Sequence, residues 1–391
     1  MVSESSLSHS PRPRRLALAL MHLYPKAQFF ILSPPPCDLS AHFIPFAPLL
    51  NSASRSLAKQ EQLKTWVEQR NFTPLLWTPN RLEMLQKLKT LIQNLHRKHI
   101  QIKALFVEDL ALLPAILEQI QNTAPLIVDL REFYPALINH HHFTAPLFAY
   151  ICSHYLSKAH KTMSVNASIA KLYATTYPNF KLENNYTIYS TPFYANLSAS
   201  PINPKCIRLI YHGLLAPERH SDNLLELAKG LKDLPLPYHL TIIGLSKHPT
   251  FLQDFKSRLK ALQSQGLPVD FKQPLPLESI IPSTQDYDIG LLTLPNNSLN
   301  HLYALPNKFF EYIQSALCIL STPLVEIKTL IENYKIGRVG ADFTIQSLLK
   351  ILYTLDLDQI MQAKIKAAQA AKLLCMQAQL PLLKRVVQDK L

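Results

Sequence analysis

Lys308 and Glu311 stand three residues apart in the stretch LPNKFFEYIQSA, Leu305 to Ala316. On a helix that spacing puts a cation and a carboxylate one turn apart. The N–H groups of a helix start, the positive end of its dipole and a lysine together suit a phosphate or diphosphate. A carboxylate one turn further in can accept both hydroxyls of a ribose. A nucleoside diphosphate matches that set. A solvated ion pair is the commoner use of the same two residue types, so the surrounding elements have to decide between the readings.

The elements around the pair are regular. Pro306 is expected to be the first helical residue, where its missing N–H costs nothing and its fixed φ suits a helix. Phe309, Ile313 and Ala316 recur at steps of four and three and form a core-facing stripe, leaving Asn307, Lys308 and Glu311 elsewhere on the helix surface. Apolar runs at Tyr287–Leu294 and Cys318–Ser321 read as strands on either side. Upstream, strand Ile207–Tyr211 leads into Gly213, the loop LLAPERHS and a helix Asp222–Leu234 for which Ser221 is the expected N-cap. Strand His239–Ile243, helix Phe251–Gln265, strand Val269–Lys272 and a turn Leu277–Ser283 follow. Beyond the central helix come helix Leu324–Tyr334 and a short strand Ile336–Val339. Strand and helix alternate, the rhythm of a doubly wound parallel sheet.

The first half is less regular. Val2–Ser5 reads as a short first strand, Arg14–Leu23 as a helix, Ala27–Ser33 and Phe72–Thr78 as strands, and Arg81–His99 as a helix with Leu85, Leu88, Ile92 and Leu95 on one face. The remaining surface of that helix carries Lys87, Lys89, Arg97 and Lys98, a pattern compatible with an anionic membrane surface and more commonly with the solvated face of a packing helix. Strand Ile102–Val107, helix Leu110–Gln121 and strand Pro125–Leu130 come next. Asp129, Arg131 and Glu132 fall at the carboxyl end of that last strand, where open parallel sheets present ligand groups. His140, His141 and His142 are consecutive, so they cannot share one face, and they read as a polar loop. Helices Phe143–Ser157 and Ala167–Tyr177 and strands Lys161–Val165 and Tyr186–Ser190 complete this half.

Length and composition set the bounds. The 391 residues fit two domains, expected at 1–195 and 205–344, joined by the polar, proline-bearing linker 196–204 and followed by a basic helical tail, 345–391. No apolar run approaches the ~20 residues of a membrane-spanning helix, and the N-terminal stretch lacks a signal-peptide pattern, so the expected location is the cytoplasm. Five scattered cysteines without a C-x-x-C pair suggest reduced thiols and no zinc site. A net charge of +13 favours an anionic partner. Nucleic acid is not expected, because no basic stretch carries regularly interleaved aromatics.

With the elements in order, the chain resembles the family-four glycosyltransferases of the GT-B fold, two Rossmann-like doubly wound domains facing a cleft. The resemblance is carried by IRLIYHGLLAPERHSDNLLELAKGL, HLTIIG, YDIGLLTL and LPNKFFEY followed by CILSTP, and more loosely by DLREFYP, KTMSVNASIAKLY and YTIYSTP. It implies transfer of a hexose from a nucleotide diphosphate sugar, a UDP- or GDP-sugar, with retention and without a cofactor or metal. The expected acceptor is a cell-surface glycan or a lipid-linked acceptor, the latter suiting a basic chain at the inner face of an anionic membrane. The donor site it implies comprises Gly213, Arg219, Tyr303, Pro306, Asn307, Lys308 and Glu311, with Asp129, Arg131 and Glu132 as the catalytic groups of the first domain. The sequence departs from the family pattern at Tyr303, where many relatives carry a second glutamate eight residues before the first, and at Leu214, where an arginine often follows the glycine. All seven glycines lie from Gly213 to Gly340, so the first half has none. These departures suggest an alternative, a catalytically degenerate GT-B subunit that binds a partner glycosyltransferase or glycan.

Overall fold

Short apolar runs closed by proline, glycine or polar residues become parallel strands throughout this chain. The computed structural model describes residues 1–47, 57–119, 123–137 and 144–389, in two units: Met1–Tyr189 with Gln379–Leu391, and Ser190–Ala378.

In the first unit β1 (Phe30–Ser33) pairs with β2 (His42–Pro45), and β3 (Leu105–Val107), β4 (Leu126–Leu130), β5 (Lys161–Ser164) and β6 (Asn185–Thr187) form a four-stranded parallel sheet. Val2 joins the two sets, bridging in parallel to Leu32 and to Val107. Its N–H donates to Phe106 O (2.8 Å) and its carbonyl accepts from Glu108 N–H (3.0 Å). The expected strand Val2–Ser5 shrinks to this one residue. Ser3 Oγ takes the Ser5 N–H (3.1 Å) and Asp109 takes that of Glu4 (2.8 Å), removing the donors a longer ladder would need. The order β2-β1-Val2-β3-β4-β5-β6 reverses at Val2, so a switch point lies at the carboxyl ends of Val2 and β3.

Phe72–Thr78, expected as a strand, holds instead the helical turn Thr73–Leu76. Pro74 sits in its first turn, and the Arg81 guanidinium binds the carbonyls of Leu75 (2.5 Å) and Leu76 (3.4 Å). The following helix, Pro79–Arg97, is capped by Thr78 and buries Leu85, Leu88, Ile92 and Leu95, the stripe the spacing predicts. His140 to His142 lie outside the described residues.

The second unit contains β7 (Ile207–Leu214), β8 (Tyr238–Leu245), β9 (Val269–Lys272), β10 (Ile289–Leu292), β11 (Cys318–Ser321) and β12 (Gly337–Val339), all parallel in the order β12-β11-β10-β7-β8-β9. β7 and β10 are neighbours although two strands separate them in sequence. The order reverses there, and ligands of such sheets bind outside the carboxyl ends at that point. Four local expectations change. Ser221 does not cap a helix; its Oγ accepts the Ala216 N–H (2.9 Å) across the loop, and the helix Asn223–Leu231 starts behind Asp222. Leu277–Thr284 is a helix rather than a turn. A short helix, Leu299–Leu302, is added, too brief for periodicity to reveal. Pro306 is extended (φ −73°, ψ 153°) and precedes the central helix Asn307–Gln314, instead of opening it.

The tail forms helices Ile345–Thr354, Leu357–Ala371 and Met376–Gln388. The segment 196–204 has no regular structure, yet it is tied within the second unit: Ser200 Oγ donates to Gln285 O (2.8 Å) and accepts from Lys364 Nζ (3.0 Å). The division between units falls earlier, between Tyr189 and Ser190. Lys364 itself is fully buried against Asp288 (2.7 Å), fixing the long tail helix to the start of β10. All five cysteines are unpaired.

Candidate functional site

The switch point of the second sheet gathers most of the residues singled out in the sequence. β7 carries Tyr211, His212 and Gly213 near its carboxyl end, and the helix Asn307–Gln314 follows β10 and packs on it. The close approach depends on Gly290, where a Cβ would stand 2.5 Å from the Tyr312 ring. With that room, the Tyr312 hydroxyl reaches β7, accepting the His212 N–H (3.2 Å) and lying 3.3 Å from Ile210 O. The helix is thereby held against the strand end that carries Gly213.

Lys308 and Glu311 are not on the surface, as the helical pattern suggested, but buried, 7% and 2% exposed. Nor do they pair with each other. Glu311 Oε2 lies 3.4 Å from His212 Nε2, with both side chains nearly sealed from solvent. Lys308 Nζ lies 3.6 Å from the centre of the Tyr211 ring, in cation–π range. Among the described residues it has no carboxylate within ion-pair distance. Burial, with the Arg219 guanidinium, pushes the Lys308 ammonium well below its usual pKa, and the Glu311 carboxylate opposes this only in part. An anion entering here would meet an amine that no carboxylate already holds, and would itself favour the charged form.

Gly213 adopts φ +123°, a region that side-chain-bearing residues rarely enter, and a Cβ there would come within 3.2 Å of Lys308 Nζ. The glycine thus both turns the chain and leaves the lysine head accessible. The next turn, Pro217–Arg219, brings Arg219 close enough to depress both Lys308 and His301. His301 is held down to about 4 by burial first and then by Arg219, so it is neutral at physiological pH. Its Nδ1 lies 2.6 Å from Asn297 Oδ1, and Asn297 Nδ2 donates to Glu218 O (2.8 Å), linking the short helix Leu299–Leu302 to the Arg219 turn. Tyr303, half buried, ends that short helix, its N–H donating to Leu299 O (3.2 Å). Asn307 Oδ1 accepts from the Ser190 hydroxyl at the first turn of the central helix.

Gly213, Arg219, Pro306, Asn307, Lys308 and Glu311 therefore come from three segments of one unit. Tyr211, His212 and His301 join them without having been singled out in the sequence. For Tyr211 and His212 the available signal was their place immediately before the glycine. For His301 there was none.

In the first unit the strand-end groups have partners. Asp129 is fully buried and accepts two bonds from Arg12, from Nε (2.6 Å) and Nη2 (2.6 Å), while Arg12 Nη1 donates to Ile188 O (2.7 Å). Arg131 pairs with Asp109. Glu132 is half buried, and its carbonyl accepts from the Tyr173 hydroxyl (2.9 Å). Glu108, at the carboxyl end of β3, is fully buried, and among the described residues neither carboxylate oxygen has a hydrogen-bond partner. Burial and the neighbouring Asp129 raise its pKa well above the carboxylate range.

No protein-family model matches the sequence, and no curated protein matches it significantly. Many solved structures match its fold. Staphylococcus aureus TarM, in a complex with fondaparinux, alpha-GlcNAc-glycerol and UDP, aligns at a TM-score of 0.60 and 13% identity over 76% of this chain; the chain spans 58% of TarM's length. Anabaena HepE in complex with UDP-glucose aligns at 0.66 and 12% identity, covering 99% of this chain and 97% of that one. The trehalose 6-phosphate synthase of Burkholderia multivorans aligns at 0.66 and 9% identity, covering 99% and 97%. At such identities the likeness speaks for architecture, and all three are GT-B proteins. With two Rossmann-like units of doubly wound parallel sheet and a helical C-terminal stretch, this chain has the GT-B fold.

Proposed function

We propose that the chain is a glycosyltransferase whose donor, a UDP- or GDP-sugar, binds at the switch point of the second unit. The observation that carries this reading is Lys308: a buried amine with no carboxylate in ion-pair range among the described residues, placed at a helix start beside a glycine of positive φ. Lys308, Arg219 and the amides of the helix start meet the diphosphate, and Glu311, steadied by His212, meets the ribose. As the bond to the sugar breaks, these cations stabilise the charge building on the leaving diphosphate, without a metal. Retention follows the family resemblance, and the sugar is read as a hexose and the acceptor as a cell-surface glycan or a lipid-linked acceptor. A basic chain acting at an anionic membrane surface fits such an acceptor, each lysine near the surface contributing roughly 1 kcal/mol.

A thermal-shift panel of UDP, GDP, ADP and their sugar conjugates on the native protein and on Glu311→Ala tests the donor site. At ~100 times its dissociation constant a ligand stabilises by about 2.7 kcal/mol. One nucleotide that shifts the native protein and not the variant supports the site. Equal shifts in both proteins overturn it.

The second reading, a non-catalytic subunit that binds a partner glycosyltransferase or glycan, is favoured by one observation. Asp129 and Arg131 are already engaged, with Arg12 and Asp109, so neither has a charge left for a substrate. Nucleotide binding without transfer or donor hydrolysis, even with lipid extract supplied, selects that reading.

A further inference from the structure

Two groups of opposite charge three residues apart on a helix ordinarily pair, and a lysine paired in that way offers little to an incoming diphosphate. Here the pair is kept open, and the residue lying under the lysine is Tyr211. Its ring is 3% exposed, and its hydroxyl donates to Leu214 O (2.9 Å), fixing the ring plane at the strand end. Lys308 Nζ stands 3.6 Å from the ring centre, on the face that carries the negative part of the aromatic quadrupole. Gly213 leaves open the space next to the same nitrogen.

We propose that Tyr211 is a positioning residue for donor binding: its ring face takes the place of a counter-ion, holding the Lys308 ammonium charged and in place without neutralising it. A carboxylate in that position would compete with the diphosphate for the lysine. An aliphatic side chain would leave the ammonium in an apolar pocket, where losing its proton is the cheaper outcome. An aromatic face avoids both, because its negative quadrupole face attracts the cation without carrying a full charge that would neutralise it, and its positive edge does not repel an anion. The other charged or titratable groups facing Lys308 are Arg219 from the Pro217–Arg219 turn, which opposes its charge, and Glu311 on its own helix, which favours it. Beside Glu311 stands His212. The ring is thus the side chain of β7 that bears directly on the lysine head.

The donor role rests on the function proposed above, so the experiment reads the lysine with and without nucleotide. Full-length protein is labelled with 13C,15N-lysine, Lys308 is assigned from the signal lost in Lys308→Arg, and its titration is followed by NMR in native protein, Tyr211→Phe and Tyr211→Leu. Tyr211→Phe keeps the ring and is expected to titrate as native. Tyr211→Leu is expected to lose its proton at a pH about 1 lower. UDP and GDP affinity is then measured by calorimetry at pH 7.5, with about a tenfold loss expected in Tyr211→Leu and less than about twofold in Tyr211→Phe. A Tyr211→Leu protein whose Lys308 titrates at or above the native pH overturns the proposal, whatever it does to nucleotide. A lysine that behaves as expected in a protein binding no nucleoside diphosphate retains the ring's hold on the ammonium and removes the donor site. Circular dichroism of both variants separates these outcomes from misfolding, and Tyr211→Phe supplies the folded control.

Discussion

His212 Nε2 lies 3.4 Å from Glu311 Oε2, a contact between the carboxyl end of strand β7 and the first turn and a half of the central helix. The His212 ring stands edge-on to Tyr312 (5.0 Å, 83°), while its backbone N–H is held by the Tyr312 hydroxyl. Tyr312 thus holds the imidazole that stands beside the carboxylate. Replacing His212 by leucine is expected to weaken UDP or GDP binding about tenfold, while glutamine, which restores a donor, recovers most of it. Calorimetry on the two variants checks this, and equal affinity in leucine, glutamine and native proteins would refute the role.

Lys308 is expected to show a conflict between stability and ligand binding. The buried ammonium is destabilising without an anion, as the depression of its pKa indicates. Lys308→Met should therefore gain about 1–2 kcal/mol in urea unfolding at pH 7.5 while losing the thermal shift given by nucleotide. A less stable Lys308→Met protein would mean that the ammonium is better satisfied in the fold than its surroundings indicate.

Asp129 gives the opposite case. Its bidentate pair with Arg12 is sealed, with side chains 0% and 4% exposed. Breaking such a pair by Asp129→Leu leaves an uncompensated buried guanidinium and should cost about 3–5 kcal/mol, whereas the double replacement Arg12→Met with Asp129→Leu should recover most of that. Denaturant titration of the three proteins measures it. A single replacement that leaves stability intact and removes transfer would return Asp129 to a catalytic role.

The pH dependence of stability should carry a contribution from His301. Its folded pKa is about 4, against about 6.5 when unfolded, so between these values the unfolded chain binds a proton that the folded one does not. Stability from this residue is complete above pH 6.5 and falls as the pH drops towards 4. His301→Gln should flatten that limb of the stability curve, as followed by urea midpoints at pH 7, 6, 5 and 4.5. A parallel curve for the variant would show that His301 titrates freely in the folded state.

The alternation of strand and helix from Ile207 to Val339 was written in the sequence because each run is long enough for its period to show. The order of its strands, β12-β11-β10-β7-β8-β9, has no period and came only with the structure. The first half was harder to read. Val2 acts as a strand through one residue, and Thr73–Leu76 is helical because Pro74 and the Arg81 guanidinium favour a turn over a strand. Neither effect has a period. Arg12 and Asp129, 117 residues apart, carry no local sign of their pairing.

What the sequence determined by itself was the set of chemical groups: a lysine and a glutamate one turn apart, a proline before them, and a glycine closing an earlier strand. Periodicity and turn chemistry are local, so they fixed the element on which each group sits. Only the tertiary structure decided what those groups are able to do. It buried Lys308 and Glu311 instead of leaving them in water, and it set them against Tyr211 and His212 instead of each other. It also engaged Asp129 and Arg131 with Arg12 and Asp109. Burial and pairing between distant segments decide whether a charge is available to a ligand, and both depend on which strands lie side by side.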